Sequence, residues 1–230
     1  MVLKLLGISG SRIKDGNTIA LLDESLNYAR QQHAVETESI SLAGKNISAC
    51  NHCNWCVRNQ TEDKYCTLDD DMSAIYPVLL DADGIILATP VHFGRLSGIM
   101  ADLIDRTRAF VHGNTYKMPL RNKIGGAMAL AFFRGGGIET TLSSLNLFFH
   151  VQHMLAASSG LYQLGAGAYS SPDGKGRFKK EPRHIVLEDT VGVMSAKKLV
   201  DRMVELADIV RAGQEALKGS SVPGSGVQGV

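Results

Sequence analysis

Residues 2–8, with Lys4 their only charge, form an apolar run that leaves few folds open to the chain. Such a run is the composition of a strand buried on both faces at the centre of a parallel sheet, and it lacks the alternation of a half-exposed strand. A parallel neighbour is reached only through a crossover, usually a helix. The sequence supplies one at once. Gly7-Ile8-Ser9-Gly10-Ser11-Arg12-Ile13-Lys14-Asp15-Gly16-Asn17-Thr18 is dense in small polar residues, and Ala20, Leu21, Leu22, Leu26 and Ala29 then recur at helical spacing.

The pattern repeats. Strands are expected over residues 35–42, 84–88, 124–132 (despite Gly125 and Gly126) and 154–158. Helices are expected from about Asp69, from Ser97 as N-cap with Ile99, Met100, Leu103, Ile104 and Thr107 on one face, and over 138–150. A last helix carries Ala196, Leu199, Val200, Met203, Leu206, Ala207 and Val210. Strands alternating with helices give an α/β fold with right-handed crossovers and helices on both faces of the sheet. Five strands fit the flavodoxin-like doubly wound parallel order, which puts a ligand at the carboxyl ends of the first and third strands. At 230 residues the chain is expected to form one domain over 1–218. It would carry a cysteine-rich insertion at 43–68, a lid-like basic loop at 170–187 and a disordered Gly/Ser-rich tail over 219–230.

Charge excludes some partners. Lys plus Arg total 24 and Asp plus Glu 23, so no strong field recruits nucleic acid or an anionic membrane surface. The apolar runs stop short of the roughly 20 residues that span a bilayer, and the N-terminus lacks a basic, signal-like segment. The expected location is the cytoplasm.

The first loop reads as a phosphate cradle. Backbone N–H groups at a helix N-terminus, with the hydroxyls of Ser9, Ser11 and Thr18 and the amide of Asn17, match the acceptor oxygens of a phosphate. The alternative is an ordinary βα turn, and the loop is neither a Gly-x-Gly-x-x-Gly fingerprint nor a Walker loop.

The first loop, Thr89-Pro90-Val91-His92-Phe93-Gly94, Leu103-Ile104-Asp105-Arg106 and Asp70-Asp71-Met72, in that spacing, together resemble the NADPH-dependent FMN reductase family of flavodoxin-like proteins. The resemblance covers roughly residues 3–155. It implies that Ser9, Ser11, Asn17 and Thr18 hold the FMN phosphate, with Arg12 beside them. It also implies that Pro90, Val91, His92, Phe93 and Gly94, with Arg134, Gly135, Gly136 and Gly137, approach the isoalloxazine ring. Here Arg12 then Ile13 stand where the family commonly has Pro then Arg, and Ala101 stands where a Lys often precedes the Leu-Ile-Asp-Arg run. Glycines at 135–137 permit close approach to a flavin, and Arg134 is the charged candidate for a donor near N1, or else a solvated loop arginine. Phe93 either covers a ring face or packs, and His92 is expected to be structural or solvent-facing.

Cys50, Cys53, Cys56 and Cys66 give C-x2-C-x2-C-x9-C. Crowding of all four cysteines into one segment points to a metal site or redox work more than to a disulfide framework. Three thiolates at this pitch wrap a corner of a 4Fe-4S cubane that a fourth completes, whereas structural zinc favours two separated C-x2-C pairs. The run resembles the compact motif of the iron-sulfur flavoproteins, whose last spacing is normally shorter. Reduced structural thiols are the competing reading, and Trp55 shields the site or packs.

Two redox functions follow. In one, an iron-sulfur flavoprotein passes single electrons between FMN and a small redox protein such as ferredoxin, or a small-molecule acceptor. In the other, a cluster-free reductase takes hydride from NAD(P)H. A non-redox module that binds a phosphorylated ligand stands behind both. The resemblance further implies a homodimer or homotetramer.

Overall fold

Strand β1 (Lys4–Ser9) lies inside a parallel sheet, between β2 (Glu36–Ser41) and β3 (Gly84–Pro90). The computed structural model describes residues 2–219, so all but the first residue of the tail expected over 219–230 lies outside the described residues. Beyond β3 comes β4 (Ile124–Ala131), and the fifth position is divided. The first half of β4 pairs with β5 (Leu155–Ala157) and the second half with β6 (Ala166–Tyr169), both parallel. The strand order β2-β1-β3-β4-β5 is the flavodoxin-like one.

Successive β1 side chains point to opposite faces, and each face is covered. Leu5, Ile86 and Met128 meet helices α1 (Asn17–His33) and α7 (Thr190–Gly219) through Leu22, Leu26, Leu199 and Met203. On the other face Leu6, Leu87 and Ala129 pack with α3 (Met72–Asp81), α4 (Gly98–Arg106) and α6 (Ile138–Val151), through residues such as Leu79, Met100 and Leu145. This double burial is why the interior of β1, Leu5 to Ile8, is apolar. The glycines of β4 are packing devices: a Cβ on Gly125 would lie 2.6 Å from the Phe149 ring, and one on Gly126 would lie 2.5 Å from Met203 Sδ.

The stretch 43–68 contains one short helix, α2 (Trp55–Asn59), and α5 (Arg108–Val111) follows α4. Short 3-10 turns at Pro172–Gly174 and Ile185–Glu188 punctuate the loop before α7. The structure adds β6 to the five strands expected. Its Ala-Gly-Ala-Tyr sequence has no β-branched residue and no alternation to announce it. Among the described residues no helix is long and apolar enough to cross a membrane.

Candidate functional site

The loops at the carboxyl ends of β1, β3 and β4 converge. Gly10 N–H donates to Ala88 O at 2.8 Å, and the Ser97 hydroxyl donates to Gly10 O at 2.6 Å, which fastens the first loop to β3 and to the start of α4. Ser97 also caps α4 by accepting from Met100 N–H. Helix α1, by contrast, begins after Gly16 with no side-chain cap, so the N–H groups of its first turn are left for another acceptor. Ser9, Ser11 and Thr18 surround that end and are 0, 5 and 3% exposed. Ser11 Oγ accepts from Ile13 N–H at 3.1 Å, while Ser9 Oγ is buried without a hydrogen-bond partner. Leaving such a group unsatisfied costs about 1–3 kcal/mol. An uncapped helix start beside an orphaned hydroxyl fits an incoming phosphate. Asn17 Oδ1 accepts from Val186 N–H at 3.0 Å, which leaves its NH2 end to donate to an anion. Arg12 is exposed.

The other two loops abut. His92 N–H donates to Arg95 O at 2.8 Å across a tight turn, with Phe93 and Gly94 at φ 51 and 76°. His92 and Phe93 are exposed. The Thr140 hydroxyl donates to Gly94 O at 2.6 Å, and Val91 N–H donates to Leu130 O at 2.8 Å, placing Pro90 and Val91 against β4. Gly137 has φ 100°, and a Cβ there would lie 2.6 Å from Gly94 Cα. Gly135, at φ 65°, faces open space, whereas a Cβ on Gly136 would meet Phe133 O at 2.7 Å. Arg134 is engaged: its N–H donates to Gly174 O at 2.7 Å, its Nε to Asp173 O at 2.6 Å, and its guanidinium lies 5.4 Å from the Tyr169 ring. Its Nη groups are the part left to face a ligand.

The loop at 170–187 ties into both sides of this crevice. It reaches the β4 side through the Arg134 bonds. It reaches the first loop through Asp15, which accepts from Arg183 at 2.7 Å and His184 at 2.8 Å, and through the Asn17–Val186 bond.

All four cysteines are free thiols and line one small cavity together with Arg106 and Arg108. Two anchors fold the insertion to this end. Asp70 accepts from Ser48 N–H, Met72 N–H and Arg106 Nη1, the last at 2.6 Å, fixing the approach to Cys50. Gln60 donates to Ala109 O and Tyr65 O and accepts from Thr115 and Tyr116 N–H, returning the chain so that Cys66 comes back to Cys56. Burial alone would raise the Asp70 pKa, but the Arg106 hydrogen bond and the two N–H donors carry it below the ordinary carboxylate range. Burial pushes the Cys56 thiol up against the opposing pull of Arg108, whose Nη1 lies 3.7 Å from its Sγ. Tyr65, next to Cys66 in the chain, stacks between Tyr76 and Tyr116, and burial with the Tyr116 hydroxyl raises it to about 12. Trp55 is half-buried and does not line that cavity, and Lys64 Nζ lies 5.4 Å over its ring. Among the described residues, no three His, Cys, Asp or Glu side chains are grouped to hold a single metal ion as they stand. A groove of about 550 Å³ between α4, α5 and α6 opens onto Cys50 and Arg108.

The roles of Asp15, Gln60 and the Asp70–Arg106 pair were not read from sequence. Asp70 and Arg106 lie in recognisable motifs, but nothing local pairs them, and Asp15 and Gln60 find their partners far along the chain.

A flavodoxin-like sheet with an uncapped, hydroxyl-lined first loop and two glycine-bearing loops beside it defines a class, the flavodoxin-like flavoproteins. Within it, residues 3–168 match the family described as NADPH-dependent FMN reductase, and the chain belongs to that family. It is accordingly an FMN-dependent oxidoreductase. It is 34% identical to an iron-sulfur flavoprotein of Methanocaldococcus jannaschii over 91% of this chain and 100% of that one. It is 32% identical to an iron-sulfur flavoprotein of Archaeoglobus fulgidus over 89% of this chain and 97% of that one. The crystal structure of RosB with a bound 8-demethyl-8-formylriboflavin-5'-phosphate intermediate shares the fold at a TM-score of 0.67 and 16% identity, covering 96% of this chain and 89% of that one.

Proposed function

We propose that the chain is an iron-sulfur flavoprotein in which a 4Fe-4S cluster held by Cys50, Cys53, Cys56 and Cys66 exchanges electrons with FMN. The observation that carries this reading is that four thiols spread over the insertion line a single cavity. A lone ion draws its ligands to one point, whereas each cysteine of a cubane holds a different iron, so ligands that ring a cavity suit the cluster. The iron-sulfur flavoprotein names of the similar archaeal proteins support it.

In this reading the N–H groups at the start of α1, with Ser9, Ser11, Thr18 and the Asn17 amide, bind the FMN phosphate, and Arg12 adds charge from solvent. Pro90, Val91, His92, Phe93 and Gly94 line one side of the ring and Arg134, Gly135, Gly136 and Gly137 the other. The 170–187 loop screens the crevice from water. When bound, FMN takes up one or two electrons, so it connects a one-electron centre to a two-electron partner. The electron partner is a small redox protein such as ferredoxin, or a small-molecule acceptor, with NAD(P)H as the alternative donor. The protein works in the cytoplasm as a homodimer or homotetramer.

Cys53→Ser tests the reading. Serine replaces a soft thiolate poorly, so the variant should lose iron and sulfide while keeping FMN, and electron uptake from a one-electron donor should fall with them. Unchanged iron content in Cys53→Ser refutes the ligand assignment.

The second reading is a cluster-free reductase that passes hydride from NAD(P)H to flavin or quinone. It is favoured by the family description.

A further inference from the structure

We propose that Arg106 and Arg108 are the fixed counter-ions of the cysteine cavity, donating N–H bonds to sulfur and so setting the reduction potential of the iron-sulfur centre; this rests on the cluster reading above.

Arg106 is fully buried, its side chain 0% exposed. Its Nη1 is satisfied by Asp70 at 2.6 Å and by Ser48 O at 3.0 Å. Its Nε and Nη2 are buried with no hydrogen-bond partner. Those two atoms are one edge of the planar guanidinium, the edge that grips an anion with two parallel bonds. A charged donor left unpaired in the interior is costly, and such a group calls for a partner. Pairing with Asp70 alone would need only one end of the fork. The same residue lines the cavity of the four thiols, so their sulfurs are acceptors that share a cavity with that edge.

Arg108 supplies the second cation from the other side. Its Nη2 is held by Asn54 Oδ1 at 2.8 Å, which aims Nη1 at Cys56 Sγ. Apart from the thiols, the rest of the lining is neutral: Asn51, Asn54, Leu68 and Ala109. A centre with four thiolate ligands is anionic, and reduction adds one electron and one more negative charge. Fixed cations and N–H donors to sulfur favour that reduced form and raise the potential.

The test is anaerobic reconstitution of wild type, Arg108→Gln, Arg106→Lys and Lys64→Gln. Iron, sulfide and FMN are counted, and the cluster and flavin midpoints are followed separately in an EPR-monitored titration. Arg108→Gln should keep its cluster, with the reduced form disfavoured about tenfold, a midpoint about 59 mV lower for one electron. Arg106→Lys keeps the charge beside Asp70 but loses the two-donor edge, and its cluster midpoint should also fall. Lys64→Gln, which removes an exposed charge from the same insertion, should stay near wild type, and the flavin midpoint should hold in all variants. Wild-type potentials in cluster-loaded arginine variants would make the arginines purely structural and overturn the inference while leaving the cluster in place. If Arg106→Lys fails to retain FMN, Arg108→Gln decides alone. Wild type without iron or sulfide would overturn the cluster reading, and the counter-ion role would fall with it.

Discussion

The Asp70–Arg106 pair holds the insertion on the sheet, with both side chains at most 2% exposed. Removing one partner of such a pair leaves an uncompensated buried charge, so Asp70→Asn should cost about 3–5 kcal/mol, read from denaturant unfolding. The pH dependence follows from the sign. The folded pKa of Asp70 is lowered, so its contribution is complete above the unfolded value, roughly 3.9, and is lost only as pH falls through the lower folded value. The wild-type advantage over Asp70→Asn should therefore persist through about pH 5 and shrink below the normal carboxylate range; an advantage that vanishes near neutrality contradicts the pairing. At the cradle, Ser11→Ala combined with Asn17→Ala should weaken FMN binding by about 1–3 kcal/mol in a fluorescence titration. Unchanged affinity would remove these residues from the phosphate site. Ser97 was legible as a cap because the signal lies within one turn of helix. The second use of Asn17, to hold Val186, was not, since no local pattern encodes a partner so distant.

Helices and strands were read from sequence with little shift, because double-sided burial writes itself as apolar runs and helical periodicity. What escaped was held by tertiary contacts. Strand β6 is short and lacks a β signature, whereas β4 was expected despite its glycines, and Phe149 and Met203, which press on them, are the reason they are there. The triglycine divides by position: Gly137 is required where two loops touch, while Gly135 faces open space. Gly137→Val should therefore lower both melting temperature and FMN affinity, whereas a loss of stability with affinity intact would separate this loop from the flavin. The 170–187 loop is proposed as a lid, and the pairs of Asp15 with Arg183 and His184 tie it to the first loop, as a latch would. Asp15→Ala should speed FMN dissociation in stopped flow and expose that loop to protease. Wild-type rates of both would show that the latch bonds do not govern the loop.

At the scale of the whole molecule, the sheet separates two kinds of work. The α1 side of the crevice offers an uncapped helix and hydroxyls, which suit a phosphate. The insertion packs against α3, α4 and α5, where thiols and guanidinium groups suit an anionic iron-sulfur centre. The sequence pattern pointed to both chemistries, but only the fold brings Cys66 back beside Cys56 and puts Arg106 and Arg108 into the same cavity. Helix α6 leaves Leu147 and Val151 exposed, and sedimentation equilibrium should give the mass of two or four chains; a monomer at micromolar concentration contradicts the proposed assembly. The central claim, FMN and a four-iron cluster in one chain, is tested most directly by counting iron and acid-labile sulfide per FMN in anaerobically purified protein, alongside its visible spectrum. The expected result is about four irons and four sulfides per FMN, with cluster absorption beneath the flavin bands. FMN without iron or sulfide, even after reconstitution, would contradict it and leave the cluster-free reductase as the function.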